Sequence, residues 1–194
     1  YLKKDPTLVL SVLENLKQDE NEIVRRSVAN NLNDIAKSHP EIVLSIAKKW
    51  RGISEDTDKI IRHACRTLLK RGDKEALKLF GLVADKSISV TNLKTEKKTI
   101  LLGTDLTFSF TLEVKREAKI RIEYGIDYMK SNGKTSRKVF KISEGVLDKG
   151  IHKITKKQAF KDFATRKHYP GKHAVTIIIN GQEKAAVEFI LKTI

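Results

Sequence analysis

Two rhythms of apolar residues divide the chain. Up to about residue 84 they recur every three or four positions, as in the stripe Val24, Val28, Leu32 and Ile35 and the stripe Ile61, Ala64, Leu68 and Leu69. That spacing predicts amphipathic helices. After Ser87 apolar and polar residues alternate instead, in Leu106, Phe108, Phe110 and Leu112, in Ile120, Ile122 and Tyr124, and around Val139 and Lys141, before the apolar run Val175 to Ile179. Such alternation predicts short strands with one buried face. Turn signals punctuate them at Gly103, Asn132-Gly133, Gly150, Pro170-Gly171 and Asn180-Gly181. The last is a hairpin signature, because a two-residue type I′ turn needs positive φ at both positions.

The helical half repeats itself. Pro6 to Val12 reappears as Pro40 to Ile46, 34 residues on, and Val24 to Leu32 reappears as Ile60 to Leu68, 36 residues on. Each unit is a helix pair, opened by a proline in the first turn, where the missing N–H costs nothing. Gly52 and Gly72 read as helix stops, and Asp73 to Leu82 as the start of one more helix. Stacked pairs of this length make a HEAT-like α-solenoid. About two and a half units are present, and arrays of this kind generally need three, so the repeats are expected to continue upstream of Tyr1. The architecture expected is therefore two domains: an all-α solenoid fragment over residues 1–84 and an all-β, immunoglobulin-like sandwich over 88–194.

Charge sharpens this division. The 194 residues carry a net +15; +4 of it falls in residues 1–87 and +11 in residues 88–194. An excess of this kind suits a polyanion, nucleic acid before an anionic membrane surface, with a merely solvated surface as the alternative. The single cysteine, Cys65, excludes an internal disulfide, and no apolar run is long enough to span a bilayer. A soluble, cytoplasmic protein without a membrane partner is the expectation.

The most informative segment is Val24 to His39. On a helical net Arg26, Asn30, Asn33, Asp34 and Lys37 share the side opposite the apolar stripe, and Arg62, Arg66 and Lys70 occupy the equivalent side of the next unit. In-register stacking would gather them into a groove lined with cations, suited to phosphates, with Asp34 as its one carboxylate. The plainer reading of Asp34 is a surface acid paired with Lys37 or Arg26.

VRRSVANNLNDIAKSHPEIVL (residues 24–44), followed by IIRHACRTLLKRGDKEAL (60–77), resembles the closing repeats of DNA alkylation-repair proteins of the AlkC type, relatives of the HEAT-repeat AlkD glycosylases. Residues 88–194 resemble, more loosely, the immunoglobulin-like domain that one branch of that family appends. The resemblance implies hydrolysis of the N-glycosidic bond of cationic alkylated bases, such as 3-methyladenine and 3-methylcytosine, in duplex DNA. It implies that the lesion is exposed by bending and that further acids stand upstream of Tyr1. Asp34 matches the family's acid in the NNLND helix, which makes it the candidate catalytic residue, stabilising an oxocarbenium-like sugar and orienting water.

Arg25, Arg26, Arg62, Arg66 and Lys70 are then candidate phosphate contacts, with Asn30 and Asn33 as polar partners near the lesion. Trp50, beside Lys48, Lys49 and Arg51, is a candidate lesion contact or a core residue. In the β half, Lys130 to Lys138 reads as a basic hairpin loop offering Lys134, Arg137 and Lys138, and Lys153, Lys156, Lys157, Lys161, Arg166, Lys167 and Lys172 form a second basic region. His63 has no partners at metal-ligand spacing, and Cys65 reads as a buried thiol. Neither a metal nor an organic cofactor is expected, and the protein is expected to act as a monomer. The competing readings are a non-catalytic scaffold, since both folds serve widely in binding, and a structural DNA-binding protein.

Overall fold

The computed structural model describes residues 5–162 and 167–193. The chain forms two compact units, Tyr1–Gly81 and Leu82–Ile194. In the first, six helices follow one another: α1 (Thr7–Leu16), α2 (Glu22–Ile35), α3 (Pro40–Trp50), α4 (Glu55–Ala64), α5 (Arg66–Arg71) and α6 (Lys74–Leu79). Local chemistry sets their ends. Asn21, Ser54 and Asp73 each accept a backbone N–H with the side chain, capping α2, α4 and α6; each such cap contributes about 1 kcal/mol. Pro40 occupies the first turn of α3, and Gly72, at φ 73°, closes α5 in the left-handed conformation that glycine adopts without strain.

The expected stripes face inward. Of the first stripe Val28 and Leu32 are buried and Val24 and Ile35 partly so, and Ile61, Ala64, Leu68 and Leu69 of the second are all buried. One difference concerns continuity: the helix expected across Ile60 to Arg71 is interrupted at Cys65, which has φ −83° and ψ 2° and separates α4 from α5. The repeat length reappears as physical contact. Trp50 bonds Glu14 across 36 positions, His63 bonds Asn30 across 33, and Thr67 bonds Asn33 across 34. Equivalent positions of successive helix pairs thus lie side by side.

Among its described residues the second unit holds eight strands: β1 (Ile88–Thr95), β2 (Thr99–Leu101), β3 (Asp105–Val114), β4 (Ala118–Met129), β5 (Thr135–Leu147), β6 (Gly150–Ala159), β7 (Gly171–Ile179) and β8 (Gln182–Lys192). They pair as a three-stranded sheet, β1-β3-β6, and a five-stranded sheet, β2-β8-β7-β4-β5. Every pairing is antiparallel except β2 with β8. Leu106, Phe108, Phe110 and Leu112 of β3 meet Ile120, Ile122, Tyr124 and Ile126 of β4 in one apolar core. The Asn180-Gly181 turn has φ 47° and 74°, the positive pair that its hairpin requires. The apolar run in β7 reflects a central strand buried on both faces, with Thr176 and Ile178 buried as well as Val175, Ile177 and Ile179.

Candidate nucleic-acid interface

Helix α2 presents its polar side beside α4 and α5. Arg26, Asn30 and Asp34 follow one another along that side at four-residue steps, and all three are exposed. Asp34 carries an ion pair to Lys37 at 2.6 Å while its side chain stays 69% exposed. Asn30 Oδ1 lies 2.8 Å from His63 Nε2 on α4, and Arg66 Nη1 on α5 lies 2.8 Å from the same nitrogen. Arg26, Asn30, His63 and Arg66 therefore form one continuous polar patch. Burial, Arg66 and Arg26, in that order, hold the His63 imidazole below its ordinary value. Beside the patch a cavity of about 530 Å³ opens between α2 and α4, lined by Glu22, Arg25, Arg26, Asp56, Lys59 and His63 among others.

Several residues grouped with this face are engaged elsewhere. Asn33 is only 2% exposed; its Oδ1 accepts from the Thr67 hydroxyl at 2.8 Å and the Thr67 N–H at 3.3 Å, so it joins α2 to α5 from inside. The helical net placed it outside because α2 is flanked on more than one side, which a single helix cannot reveal. Arg25 donates to the carbonyls of Asp19 and Glu20 and pairs with Asp56 at 3.2 Å, fixing the turn before α2. Arg62 stands 4.5 Å over the Phe80 ring in a cation–π contact, so the α4 residue that meets Asn30 is His63, one position on. Trp50 is 1% exposed, bonds Glu14 through its indole N–H and lies under Lys17: it is a core residue, not a surface contact. Lys70 is exposed at the end of α5. Burial pushes the Cys65 thiol up to about 12, which disqualifies it as a nucleophile at neutral pH. Among the described residues no group of His, Cys, Asp and Glu could hold a metal ion.

In the β unit the expected basic loop is shorter than its sequence signature. The turn closes between Lys130 and Lys134, and Thr135 to Lys138 already belong to β5. Lys134 and Lys138 are exposed. Arg137 is not available: its guanidinium binds both Asp127 oxygens, at 2.8 and 2.7 Å, and also pairs with Glu183. These carboxylates raise its pKa further, Asp127 foremost. Its stem also covers Gly125, where a Cβ would approach Arg137 Cδ to 3.2 Å. In the second basic region Lys153 and Lys157 are exposed on β6, Lys156 is partly buried, Lys172 pairs with Glu188 at 2.7 Å, and Arg166 lies outside the described residues.

Residues 89–193 match the family described as the uncharacterised protein YhaZ, C-terminal Ig-like domain. The chain belongs to this family. A curated relative, the uncharacterised protein YhaZ of Bacillus subtilis, is 50% identical over 189 residues, 97% of this chain and 53% of its own length. Among solved structures the chain is similar to an alkylpurine DNA glycosylase, AlkC of Pseudomonas fluorescens, bound to DNA containing an abasic site analogue. That match has a TM-score of 0.94 and 41% identity, and covers 98% of this chain and 54% of that one. This is the AlkC-type resemblance read from residues 24–44 and 60–77, and the YhaZ family supplies the immunoglobulin-like description of the β unit. The chain spans about half the length of both relatives.

Proposed function

We propose that this chain is the DNA-engaging C-terminal part of an alkylation-repair DNA glycosylase, acting as a monomer on duplex DNA and releasing cationic alkylated bases such as 3-methyladenine and 3-methylcytosine. The observation that carries this is the similarity to AlkC over 98% of the chain at 41% identity. The helix pairs belong, in this reading, to a HEAT-like solenoid. Its polar side supplies Arg26, Asn30, Arg66 and Lys70 to the DNA backbone, and the β unit adds Lys134 and Lys138.

The chemistry asks little of the protein. A base that already carries positive charge leaves as a neutral molecule when the C1′–N bond breaks and its electron pair passes to the ring. What must be stabilised is the oxocarbenium character left on the sugar, before a water molecule adds to C1′ and loses a proton. Asp34, an exposed carboxylate one turn from Asn30 on a side otherwise rich in cations, has the charge for the first task and the basicity for the second. Its ion pair with Lys37 must loosen when DNA arrives.

The deciding experiment incubates the full-length protein with a duplex methylated to carry 3-methyladenine and 3-methylcytosine, and follows free base by chromatography. Release from the methylated duplex, and none from an unmodified one, is expected. DNA binding with no release would favour a structural DNA-binding protein, and neither binding nor release a scaffold.

A further inference from the structure

The two contacts made by His63 Nε2 cannot both be satisfied by one state of the ring. Arg66 Nη1 and Asn30 Oδ1 both lie 2.8 Å from His63 Nε2. A guanidinium can only donate, so Arg66 requires a bare Nε2 with the proton on Nδ1; a carbonyl oxygen can only accept, so Asn30 in this orientation requires Nε2–H. The imidazole cannot satisfy both at once. In the neutral Nδ1–H tautomer Nε2 accepts from Arg66 and offers no proton to Asn30 Oδ1; in the neutral Nε2–H tautomer Asn30 is served and Arg66 is not. In the protonated state Nε2–H donates to Asn30 Oδ1, and Arg66 Nη1 must leave.

Charged groups surround this site on three helices: Glu22, Arg25 and Arg26 on α2, Asp56 and Lys59 on α4, and Arg66 on α5. Three of the six are already committed to one another, since Arg25 pairs with Asp56 and Asp56 with Lys59. Arg26 makes no ion pair among the described residues, and Arg66 is held by a neutral ring rather than by a carboxylate. Glu22 lines the same cavity, but among the described residues neither arginine is ion-paired with a carboxylate, which leaves both free to meet an anion.

We infer that Arg26, His63 and Arg66 form a proton-coupled site for one phosphodiester group, in which a docking phosphate draws a solvent proton onto His63, His63 turns from acceptor of Arg66 to donor towards Asn30, and the freed Arg66 Nη1 joins Arg26 on the phosphate oxygens. This deepens the DNA-binding reading and rests on it. The physical cause is mutual: the two arginines disfavour a third positive charge while the site is empty, and the phosphate removes that penalty. By linkage, proton uptake on binding means that affinity rises as pH falls through the range where free and bound His63 differ.

The test uses the full-length protein and an undamaged fluorescent duplex. Affinity is measured by anisotropy at pH 5.5 and pH 8, alongside NMR titration of the His63 ring with and without saturating duplex. The expected result is binding about tenfold tighter at pH 5.5, His63 protonating at higher pH in the complex than in the free protein, and loss of most of the pH dependence in His63→Gln. Gln keeps a hydrogen-bonding side chain of similar reach but cannot take the proton. Binding with an unchanged His63 titration, or a His63→Gln protein as pH-dependent as the wild type, would overturn the proton-coupled site while leaving DNA binding intact. Absence of duplex binding at either pH would overturn the site and the DNA reading together.

Discussion

The arginines of the two units are used in opposite ways. In the β unit, which holds most of the net charge, Arg121 is buried between Glu123 and Glu144, the more exposed Arg137 is paired with Asp127 and Glu183, and Arg116 pairs with Asp85. Among the described residues the uncommitted positive surface there is lysine, among it Lys134, Lys138, Lys153 and Lys157. In the helical unit, with a net charge of only +4 over residues 1–87, Arg26 and Arg66 stand on the exposed side with no carboxylate neutralising them. Net charge therefore misleads about where directional phosphate recognition is available. A planar guanidinium not yet committed to a carboxylate can grip a phosphate at two oxygens, whereas a lysine acts as a mobile point charge.

The largest effect that tests this contrast is on stability. Arg121→Ala removes the buried guanidinium that bonds both Glu123 and Glu144, at 2.6 and 2.7 Å, and should cost about 3 kcal/mol in urea denaturation of the β unit. A loss below about 1 kcal/mol would mean that water reaches the carboxylates and that the arginine is not structural in the sense argued.

Next, Asn33→Ala leaves the Thr67 hydroxyl and N–H without their acceptor and should cost about 2 kcal/mol. The neighbouring Asn30→Ala, on the exposed side, should cost well under 1 kcal/mol. Equal losses would erase the distinction between the inner and outer asparagine.

A smaller effect concerns pH. Burial above all holds the His173 imidazole below its ordinary value. The unfolded chain therefore binds a proton at a pH where the folded β unit does not, so stability is full above about pH 6.5 and falls as pH drops below it. The urea midpoint of the β unit should decline between pH 7 and pH 5, and less steeply in His173→Gln. An acid-insensitive midpoint would contradict the buried, neutral assignment.

Smallest in energy, though closest to the contrast, is the salt dependence of DNA binding. Arg26→Ala should lower the slope of log affinity against log salt by about one, and Arg137→Ala should leave it nearly unchanged. The reverse order would place the working arginine in the β unit.

Much of the fold was legible in the residues. Helical spacing gave the buried stripes of α2 and of α4 with α5, alternation gave β3 and β4, the apolar run gave β7, and Asn180-Gly181 gave its hairpin with positive φ at both positions. β6 escaped because Ile151, Lys153, Thr155 and Lys157 expose one face while its other face includes His152, Lys156 and Gln158, so polar residues fall on both sides. The site was half legible. Arg26, Asn30, Asp34 and Arg66 lie on the exposed side as the helical net placed them, but Asn33, Arg25, Arg62, Trp50 and Arg137 are committed to partners that only tertiary packing brings near. The partner of Asn30 did carry a signal: His63 lies one repeat length away, at an offset of 33.

Base release in the proposed reading depends on one carboxylate, Asp34, and single-turnover release of 3-methyladenine by the full-length protein tests that role most directly. Asp34→Asn should lower the rate by about a hundredfold while duplex affinity holds or improves, because a negative charge is removed from an anion-binding face. A rate within threefold of the wild type would take Asp34 out of the chemistry and leave it the surface partner of Lys37.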